Sequence, residues 1–381
     1  MADNKDKKVL NVPALRFPEF TGEWEIVSLK DIAVVNPKSE PLLNKFFYID
    51  LESVEKGELK KIQEILQEEA PSRAQRVISN NDILFQCVRP YQKNNYIHRV
   101  KNTSNIQWIA STGYAQIRTT ESPNYIYHLL NTDGFNRKVM VRCTGSSYPA
   151  INSEDLSAIR FYLSTDKKEQ CKIARLLDLL DERISTQNKI IEKLETLIKG
   201  IRHNVFQQLR KDVGFNSTIG DILSFEQPQR YIVSSTEYSD DSSCTPVLTA
   251  NKAFILGYTT ETDGIYSKGD CIIIDDFTLD CKYVSFPFKI KSSAIKILTA
   301  ENKYILRFIY EYLKSLDIST EEHKRHYITE IQPSSCILPD DKTLTTIALM
   351  FESITNKLEN EQSLALMLNK QKQYLLSKMF I

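Results

Sequence analysis

Two stretches of the sequence combine cationic side chains with aromatic, amide and hydroxyl side chains. One lies at residues 89–96 and contains Arg89, Tyr91, Lys93 and Asn94. The other lies at residues 136–148 and contains Arg137, Lys138, Arg142, Ser146, Ser147 and Tyr148. Arginine and lysine contact phosphates, and arginine, asparagine and glutamine also hydrogen bond to base edges. The chemistry that these residue types favour is non-covalent recognition of nucleic acid.

A third basic stretch, at residues 322–327, contains His323, Lys324, Arg325 and Tyr327. Like the stretch at 136–148, it lies just before a predicted strand that leads into a long helix. One basic stretch of this kind is more often a solvated surface loop. Because two of them occupy equivalent places in the chain, we keep both interpretations, a binding surface and a plain surface.

Catalytic residue sets are weaker candidates. Asp50, Glu58 and Lys60 have the residue types of a metal-dependent nuclease. That combination is frequent by chance, and the segment 54–59 is better interpreted as a turn around Gly57 between two strands. These residues therefore predict no catalytic site.

Motifs for nucleotides, methyl transfer and metals are missing from the sequence. It contains no Gly-x-x-x-x-Gly-Lys-Ser/Thr loop and no Asp/Asn-Pro-Pro-aromatic motif of the amino-methyltransferases. The nearest approach to the second motif, Asn36-Pro37-Lys38, lacks the second proline and the aromatic residue. His323 and His326 flank two cations and lack a third ligand, so no metal site is predicted.

One long helix dominates the elements that must position the basic stretches. From residue 173 to 205, apolar residues recur at alternating intervals of four and three, the repeat of a coiled-coil seam. The seam residues of this helix are Ile173, Leu177, Leu180, Ile184, Gln187, Ile191, Leu194 and Ile198. No proline interrupts residues 167–206, and such a helix is about 60 Å long. A helix with this seam needs a partner.

The partner is predicted in the same chain, where the pattern recurs in the same phase. Its seam residues are Ile347, Phe351, Ile354, Leu358, Glu361 and Leu368. Ile173 corresponds to Ile347, and the polar Gln187 corresponds to Glu361. This correspondence indicates an internal duplication, and we expect the two helices to pair antiparallel. A further stripe, Leu176, Ile190 and Leu197, lies off the seam and is either a docking face or buried against the chain's own modules.

The segments beside the helices are rich in short strands. Strands are predicted at residues 46–50, 83–88 and 115–118 of the first segment and at 246–249, 271–275, 283–288 and 294–298 of the second. Helices are predicted at 61–69, 124–130 and 302–316. The fold class is therefore α+β, with two β-rich modules in a pseudo-two-fold repeat, separated by two long antiparallel coiled-coil helices.

The composition of the chain limits the class of protein and its expected compartment. The chain has 381 residues, and its 49 Lys and Arg balance its 49 Asp and Glu, so any basic surface has to be local. The first residues have no apolar core of a signal peptide, and no run of residues is long enough to span a membrane. The seven cysteines form no Cys-x-x-Cys pair, which favours reduced thiols. We expect a cytoplasmic protein of two to three domains.

Several motifs together resemble the specificity subunit of type I restriction-modification enzymes. They are the arm Leu15-Arg16-Phe17-Pro18-Glu19-Phe20 with Glu23-Trp24, the run Gly145-Ser146-Ser147-Tyr148-Pro149-Ala150-Ile151, the helix start Ile173-Ala174-Arg175-Leu176-Leu177-Asp178, and Gln227-Pro228-Gln229-Arg230-Tyr231 with Thr249-Ala250-Asn251-Lys252. The duplicated order of module, helix, module and helix extends the resemblance to nearly the whole chain. Two departures are Lys372, which stands at a seam position where the first helix has Ile198, and the opening Thr343-Leu344-Thr345-Thr346.

The resemblance implies a protein without catalysis that reads a split sequence in double-stranded DNA. Each module would be a target recognition domain for one half of the sequence, in the major groove. Two methyltransferase subunits would dock on the helices, bind S-adenosylmethionine and methylate adenine, and restriction subunits are a possible addition. No cofactor is expected in this chain. Asn251, Lys252 and Lys282 join the predicted DNA contacts of the second module on this basis.

The resemblance also divides the chain. It implies an N-terminal arm at residues 1–23, a first recognition domain at 24–165, a central helix at 166–210, a second recognition domain at 211–339 and a C-terminal helix at 340–381. Two alternatives remain. The chain could be a self-contained nuclease or methyltransferase, or a coiled-coil adaptor whose modules bind protein.

Overall fold

The structure is a computed structural model, and it describes residues 11–100, 106–250, 253–316 and 324–381. Three predicted DNA contacts, Asn251, Lys252 and His323, lie outside the described residues. The chain divides into two compact units. Unit 1 comprises Met1–Gln187 with Leu364–Ile381, and unit 2 comprises Asn188–Ser363. The five-part division expected from the sequence stays a prediction.

Unit 1 contains three sheets. Its strands, β1 to β12 in chain order, are Glu25–Ser28, Ala33–Val35, Lys45–Ile49, Val54–Glu55, Glu58–Leu59, Gln63–Leu66, Ala74–Ile78, Ile83–Gln86, Tyr96–Ile97, Gln107–Ser111, Tyr114–Thr119 and Arg160–Leu163. The strand orders are β6-β3-β10-β7, β2-β11-β8-β9 and the pair β1-β12, with β4-β5 as a separate hairpin. Only β3 and β10 pair in parallel among these described strands.

The helices of unit 1 cover the sheets and lead into the long helix. Helices α1 to α5 are Leu29–Ile32, Pro123–Leu130, Asp133–Met140, Ser153–Ser157 and Lys167–Asp212. Short 3-10 helices lie at Gln67–Glu69 and Pro90–Gln92. The predicted long central helix is confirmed as α5, which continues without a break into unit 2.

Unit 2 is also built of short strands and helices, with fewer described strands than unit 1. Its strands, β13 to β21, are Ser217–Thr218, Ser224–Glu226, Thr245–Leu248, Ile255–Thr259, Cys271–Asp275, Cys281–Val284, Lys289–Ile290, Ile295–Thr299 and Ser335–Cys336. Its helices α6 to α8 are Ile219–Ile222, Lys303–Ser315 and Asp341–Met379, with a 3-10 helix at Pro228–Tyr231 and a π-helical turn at Tyr327–Ile331.

One four-stranded sheet and one strand pair have the same strand order in the two units. The order β14-β20-β17-β18 matches β2-β11-β8-β9, and the pair β13-β21 matches β1-β12. The sheet β16-β15-β19 contains a parallel pair, as the sheet with β3 and β10 does. Strands β8 and β17 begin with continuous apolar runs, and the register places Ile83 opposite Ile117 and Ile273 opposite Ile297, all fully buried. Such runs are typical of strands covered on both faces.

One predicted helix is wrong. Residues 61–69 were expected to be helical, but Gln63–Leu66 forms strand β6, which pairs antiparallel with β3, and only Gln67–Glu69 makes a 3-10 turn. The reason is tertiary: Ile65 packs against the buried side chains of its own sheet, and the ladder to β3 satisfies the backbone.

Within unit 1, the start of α5 packs against the end of α8. Ile173 and Leu177 lie in one core cluster with Leu376 and Met379. Further along α5, the ammonium of Lys372 pairs with the carboxylate of Asp181 at 2.5 Å. The helices run antiparallel here, and the predicted departure Lys372 is accommodated by an ion pair at the edge of the seam.

Within unit 2, the end of α5 packs against the start of α8 in the same way. Phe206 and Leu209 share a core cluster with Leu344 and Phe351. All fourteen predicted seam residues are buried or half-buried, including Gln187 and Glu361. Glu361 also pairs with Lys357 one turn earlier on α8.

In each unit a buried carboxylate links α5 to a helix that packs beside it. In unit 1, Asp178 of α5 accepts hydrogen bonds from Arg99 and Asn124 and contacts His128 Nε2 at 2.9 Å. In unit 2, Glu311 of α7 contacts Arg202 of α5 at 2.7 Å and Arg307 at 3.0 Å. Arg307 in turn donates to Thr355 of α8.

The N-terminal arm docks on α5, as expected for an extended segment. Glu169 of α5 is completely buried, and its carboxylate accepts two hydrogen bonds from Arg16, one from the Trp24 indole and one from Ser164. The backbone N–H of Leu15 donates to the carbonyl of Lys378 near the end of α8. A buried carboxylate is tolerated only when it is paired and hydrogen bonded in this way. No helix in the described part of the chain is long and apolar enough to cross a bilayer.

The Glu169 cluster generates a stability prediction. Replacing Arg16 with Met leaves the Glu169 carboxylate buried without its cation, which typically costs about 3–5 kcal/mol. Urea unfolding followed by tryptophan fluorescence should show this loss, because Trp24 and Trp108, the only tryptophans of the chain, both belong to unit 1.

The matched control is Lys172→Met, which removes the exposed pair between Lys172 and Glu19. Exposed pairs contribute about 0–1 kcal/mol, so this variant should unfold close to the wild type. Equal losses for the two variants would contradict the assigned role of the Glu169 cluster.

Candidate nucleic-acid interface

The first basic stretch forms a rigid loop at the end of strand β8. Arg89 has left-handed backbone angles, with φ at 53°, and opens the 3-10 helix Pro90–Gln92. The Gln86 side chain accepts from the backbone N–H of Asn94 and donates to the side chain of Gln92. Because β8 is fully buried and bonded to this loop, the position of Arg89 is set by the sheet.

Two of the predicted contacts in this loop are engaged within the protein. The Lys93 ammonium pairs with Asp133 at 2.5 Å and donates to the carbonyl of Asn131. The Asn94 side chain accepts from the backbone N–H of Lys56. Both residues therefore hold the loop against its neighbours, while Tyr91 is exposed to solvent and Arg89 is half-buried.

The second basic stretch is partly helical, which corrects the expected loop. Residues 136–140 are the second half of α3, whose N-terminus is capped by the Thr132 hydroxyl. Arg137 is exposed on this helix, while Lys138 donates to the carbonyl of Arg160. Burial lowers the pKa of Lys138, and the neighbouring Arg142 lowers it further.

After α3, the chain makes a tight loop that carries the hydroxyl-rich residues. Thr144 and Ala150 exchange two backbone hydrogen bonds of 2.9 Å, which close the loop. Gly145 has a φ of +89°, and a Cβ there would meet the carbonyl oxygen of Tyr148 at 3.0 Å. A glycine is therefore required for this turn. Ser146, Ser147 and Tyr148 are all exposed on it.

The structure brings these two stretches together into one surface, which we call the unit 1 patch. Its members are Arg89, Tyr91, Arg137, Arg142, Ser146, Ser147 and Tyr148. The Arg89 backbone N–H donates to the Pro149 carbonyl at 2.8 Å, and its guanidinium lies 4.3 Å from the centre of the Tyr148 ring. Tyr148 is 64% exposed and Tyr91 52%. Cationic, aromatic and hydroxyl groups thus share one face.

In unit 2 the third basic stretch meets the loop after strand β17. Lys324 and Arg325 are exposed, and Arg325 lies 6.0 Å from the centre of the Phe277 ring. Lys324 pairs with Glu330 at 3.2 Å. The hydrogen bond to His326 holds the pKa of Glu330 below its usual range, and the bond to Lys324 lowers it further.

Tyr327 was predicted to contact DNA, and the structure contradicts that prediction. The residue is fully buried, packs edge-on against Phe225 and lies in the core of unit 2. Burial raises the pKa of its phenol to about 12. The prediction failed because Tyr327 was paired by position with Tyr148, whereas a π-helical turn here directs it inward.

Two residues of this region escaped the sequence analysis. Phe277 is exposed on the loop after β17, and Asp276 is buried beneath it. The Asp276 carboxylate lies 3.2 Å from the Lys296 ammonium and accepts from the backbone N–H of Tyr327. No basic cluster in the sequence marked this loop, and only its place after a buried strand could have indicated it.

We call Phe277, Lys324 and Arg325 the unit 2 patch. Lys282, which was also predicted to contact DNA, is half-buried on β18.

The two patches have the same construction. In each unit the loop that follows the central strand, β8 or β17, meets the segment that precedes the last strand. In each, an arginine from one segment lies over an aromatic ring of the other, Arg89 over Tyr148 and Arg325 over Phe277.

The acidic residues considered for catalysis have structural roles. The Asp50 carboxylate accepts from Ser53 Oγ and from the backbone N–H of Glu52, and so shapes a turn. Glu58 pairs with Lys60 on the hairpin that follows. Within the described residues, no group of three or more His, Cys, Asp or Glu side chains is placed to hold a metal ion.

Comparisons with known proteins agree with this architecture. A specificity subunit of a type I restriction-modification system from M. genitalium has a similar fold, with a TM-score of 0.68, 16% identity and coverage of 97% of this chain and 99% of that one. A structure described as the basis of complex assembly and conformational transition of the type I R-M system has a TM-score of 0.52 at 19% identity, covering 93% and 97% of the two chains. At these identities the likeness concerns the fold alone.

Sequence comparison connects part of the chain to a curated protein. The specificity subunit of the type I restriction enzyme EcoR124I/EcoR124II from Escherichia coli is 41% identical over 143 residues. The match covers 36% of this chain and 35% of that protein, so it spans about a third of the curated relative.

The family model matches the part of the chain that carries the unit 1 patch. The model is described as the type I restriction modification DNA specificity domain, and it covers residues 21–196. That range includes all the sheets of unit 1 and the first part of α5. This match extends over less than half of the chain and does not reach the strands β13 to β21 of unit 2.

Proposed function

We propose that this chain is the DNA specificity subunit of a type I restriction-modification complex and has no catalytic activity of its own. Unit 1 recognises one half of a split sequence in double-stranded DNA, and unit 2 recognises the other half. The length of the α5 and α8 helices sets the gap between the two half-sites. The two units are a pseudo-two-fold repeat, and each one binds one half of the DNA sequence.

The observation that carries this proposal is the repeated construction of the two patches. Both units place an arginine over an aromatic ring at the same point of the same strand order, and the family match covers the unit that carries the first patch. The chain has no net charge, yet both patches expose cations locally. Local cations that contact phosphates and bases are what sequence-specific binding needs.

The methyl-transfer chemistry belongs, in this proposal, to two methyltransferase subunits that bind S-adenosylmethionine, with restriction subunits as a further addition. Exposed apolar residues on the long helices support a docking role. Ile190 and Leu197 of α5 and Leu366, Met367 and Tyr374 of α8 are all exposed. Leu176, the third member of the predicted stripe, instead packs against the core of unit 1. Exposed apolar side chains that recur along a helix are suited to contact with a partner.

The first prediction separates the two half-sites. The double variant Arg142→Ala with Ser147→Ala removes contacts of the unit 1 patch, and Lys324→Ala with Arg325→Ala removes those of the unit 2 patch. Each pair should weaken recognition at base pairs of a different half-site, by about 1–3 kcal/mol for each lost base contact. Selection from a random duplex pool by the full chain, isolated with its partners, measures this.

The matched control is Lys61→Ala with Arg73→Ala, which removes the same charge from exposed positions of unit 1 outside the patch. It should leave the selected sequence unchanged. If each patch variant instead weakens both half-sites equally, the patches contact only phosphate and the assignment of one half-site to each unit is wrong.

The second prediction treats the helices as a ruler. Inserting seven residues after Gln187 and seven after Glu361 keeps both seams in phase and lengthens each helix by about 10 Å. We expect the gap between the half-sites to grow by up to about three base pairs, at ~3.4 Å for each. Three additional base pairs also rotate the second half-site by roughly 100° about the DNA axis. This rotation opposes part of the increase in the gap. Mapping the methylated sequence in cells that express each variant measures the gap.

The control for this experiment inserts seven residues after Gln187 only. Its α5 no longer matches α8, so it should lose activity. The ruler hypothesis is wrong if the double insertion stays active and the gap keeps its original length.

A further inference from the structure

We infer that Arg89 reads a guanine in the half-site of unit 1, and that Tyr148 is the positioning residue that aims it. The inference rests on the proposed function and deepens it, because it names one base and the two side chains responsible. Within the unit 1 patch, Arg89 is half-buried, its guanidinium lies over the Tyr148 ring, and its backbone N–H is hydrogen bonded to Pro149.

The side chain of Arg89 is oriented by stacking. Its guanidinium carbon lies 4.3 Å from the centre of the Tyr148 ring, which is within the range of a cation–π contact. When the flat face of a guanidinium contacts a ring, its N–H donors remain at the edge, where they can form a fork of parallel hydrogen bonds. The ring thus restricts the orientation of the arginine side chain without occupying its hydrogen-bond donors.

The backbones of both residues are held as well. Arg89 N–H donates to the Pro149 carbonyl at 2.8 Å, and Ile151 N–H donates to the Cys87 carbonyl at 3.0 Å. Tyr148 lies on the loop closed by Thr144 and Ala150. Arg89 also keeps a φ of 53°, a conformation that a non-glycine residue rarely adopts. Ordering these groups in advance reduces the entropy lost when DNA binds.

No carboxylate in the described part of the chain forms an ion pair with Arg89. Asp133, which lies beside this loop, pairs with Lys93. The corresponding arginine of unit 2 is in a different situation, because Arg325 Nε lies 4.0 Å from the Asp276 carboxylate and 6.0 Å from its ring. The donors of Arg89 are therefore left for a ligand.

The ligand that suits a fixed, forked donor is a guanine edge. Guanine presents O6 and N7 side by side in the major groove, and arginine binds both at once. A phosphate contact does not need a cation whose orientation is fixed by a ring, and exposed cations such as Arg137 can make it. Orientation by Tyr148 thus favours a base over the backbone.

The test uses the full chain, isolated with its partners, and a random duplex pool from which bound DNA is sequenced. For Arg89→Lys, preference for guanine at one position of one half-site should fall about 5- to 150-fold, while the other positions are unchanged. Affinity for unrelated DNA should change little, because the positive charge is kept. Tyr148→Leu should reduce preference at the same position, and Tyr148→Phe, which keeps the ring, should restore it.

Arg73→Lys is the matched control and should leave every position unchanged. The inference is overturned if Arg89→Lys weakens all sequences alike, if it changes none, or if the affected base pair has no guanine. It is also overturned if Tyr148→Phe behaves as Tyr148→Leu, because the hydroxyl and not the ring would then matter. A wild-type complex that selects no sequence would instead refute the proposed function itself, and the inference with it.

Discussion

The α5 helix is one continuous element that supplies core residues to both units, and the rest of the structure depends on burying its apolar face. Leu177 lies in the core of unit 1 and Phe206 in that of unit 2. Neither face can be left in water, so each unit must contribute a sheet, a helix and a part of α8 to cover it. The buried acids Asp178 and Glu311 then fix the direction in which each module is attached. Module and helix are thereby a single rigid construction within each unit.

The two patches also depend on buried elements beneath them. The loop of Arg89 follows a fully buried strand, and its backbone is bonded to the segment that carries Tyr148. Loops on a rigid sheet can vary in sequence while their position is preserved. In unit 2 the same place is held by Asp276, whose buried carboxylate binds Lys296 and the backbone of Tyr327. The scaffold is therefore shared, while the side chains that it presents differ.

The sequence predicted the periodic elements well and the side-chain environment poorly. The helical repeat from residue 173 extends over many turns, so a chance pattern is improbable, and α5 follows it. Short elements depend on partners distant in the chain: Gln63–Leu66 is a strand because β3 is beside it. In the sequence, Tyr327 and Tyr148 are both tyrosines in a basic stretch and cannot be distinguished. In the structure, Tyr327 is 0% exposed and Tyr148 is 64% exposed. Phe277 had no cationic neighbours in sequence, and only the fold brings Arg325 to it.

The central claim is that one chain reads two separated half-sites through two units of the same construction. The most direct measurement is a genome-wide map of adenine methylation in cells that contain the intact chain and in cells from which it has been deleted. The account predicts a single split motif, with two defined halves around a gap of fixed length, that is methylated only when the chain is present. An uninterrupted motif, or a methylation map that the deletion leaves unchanged, would contradict it.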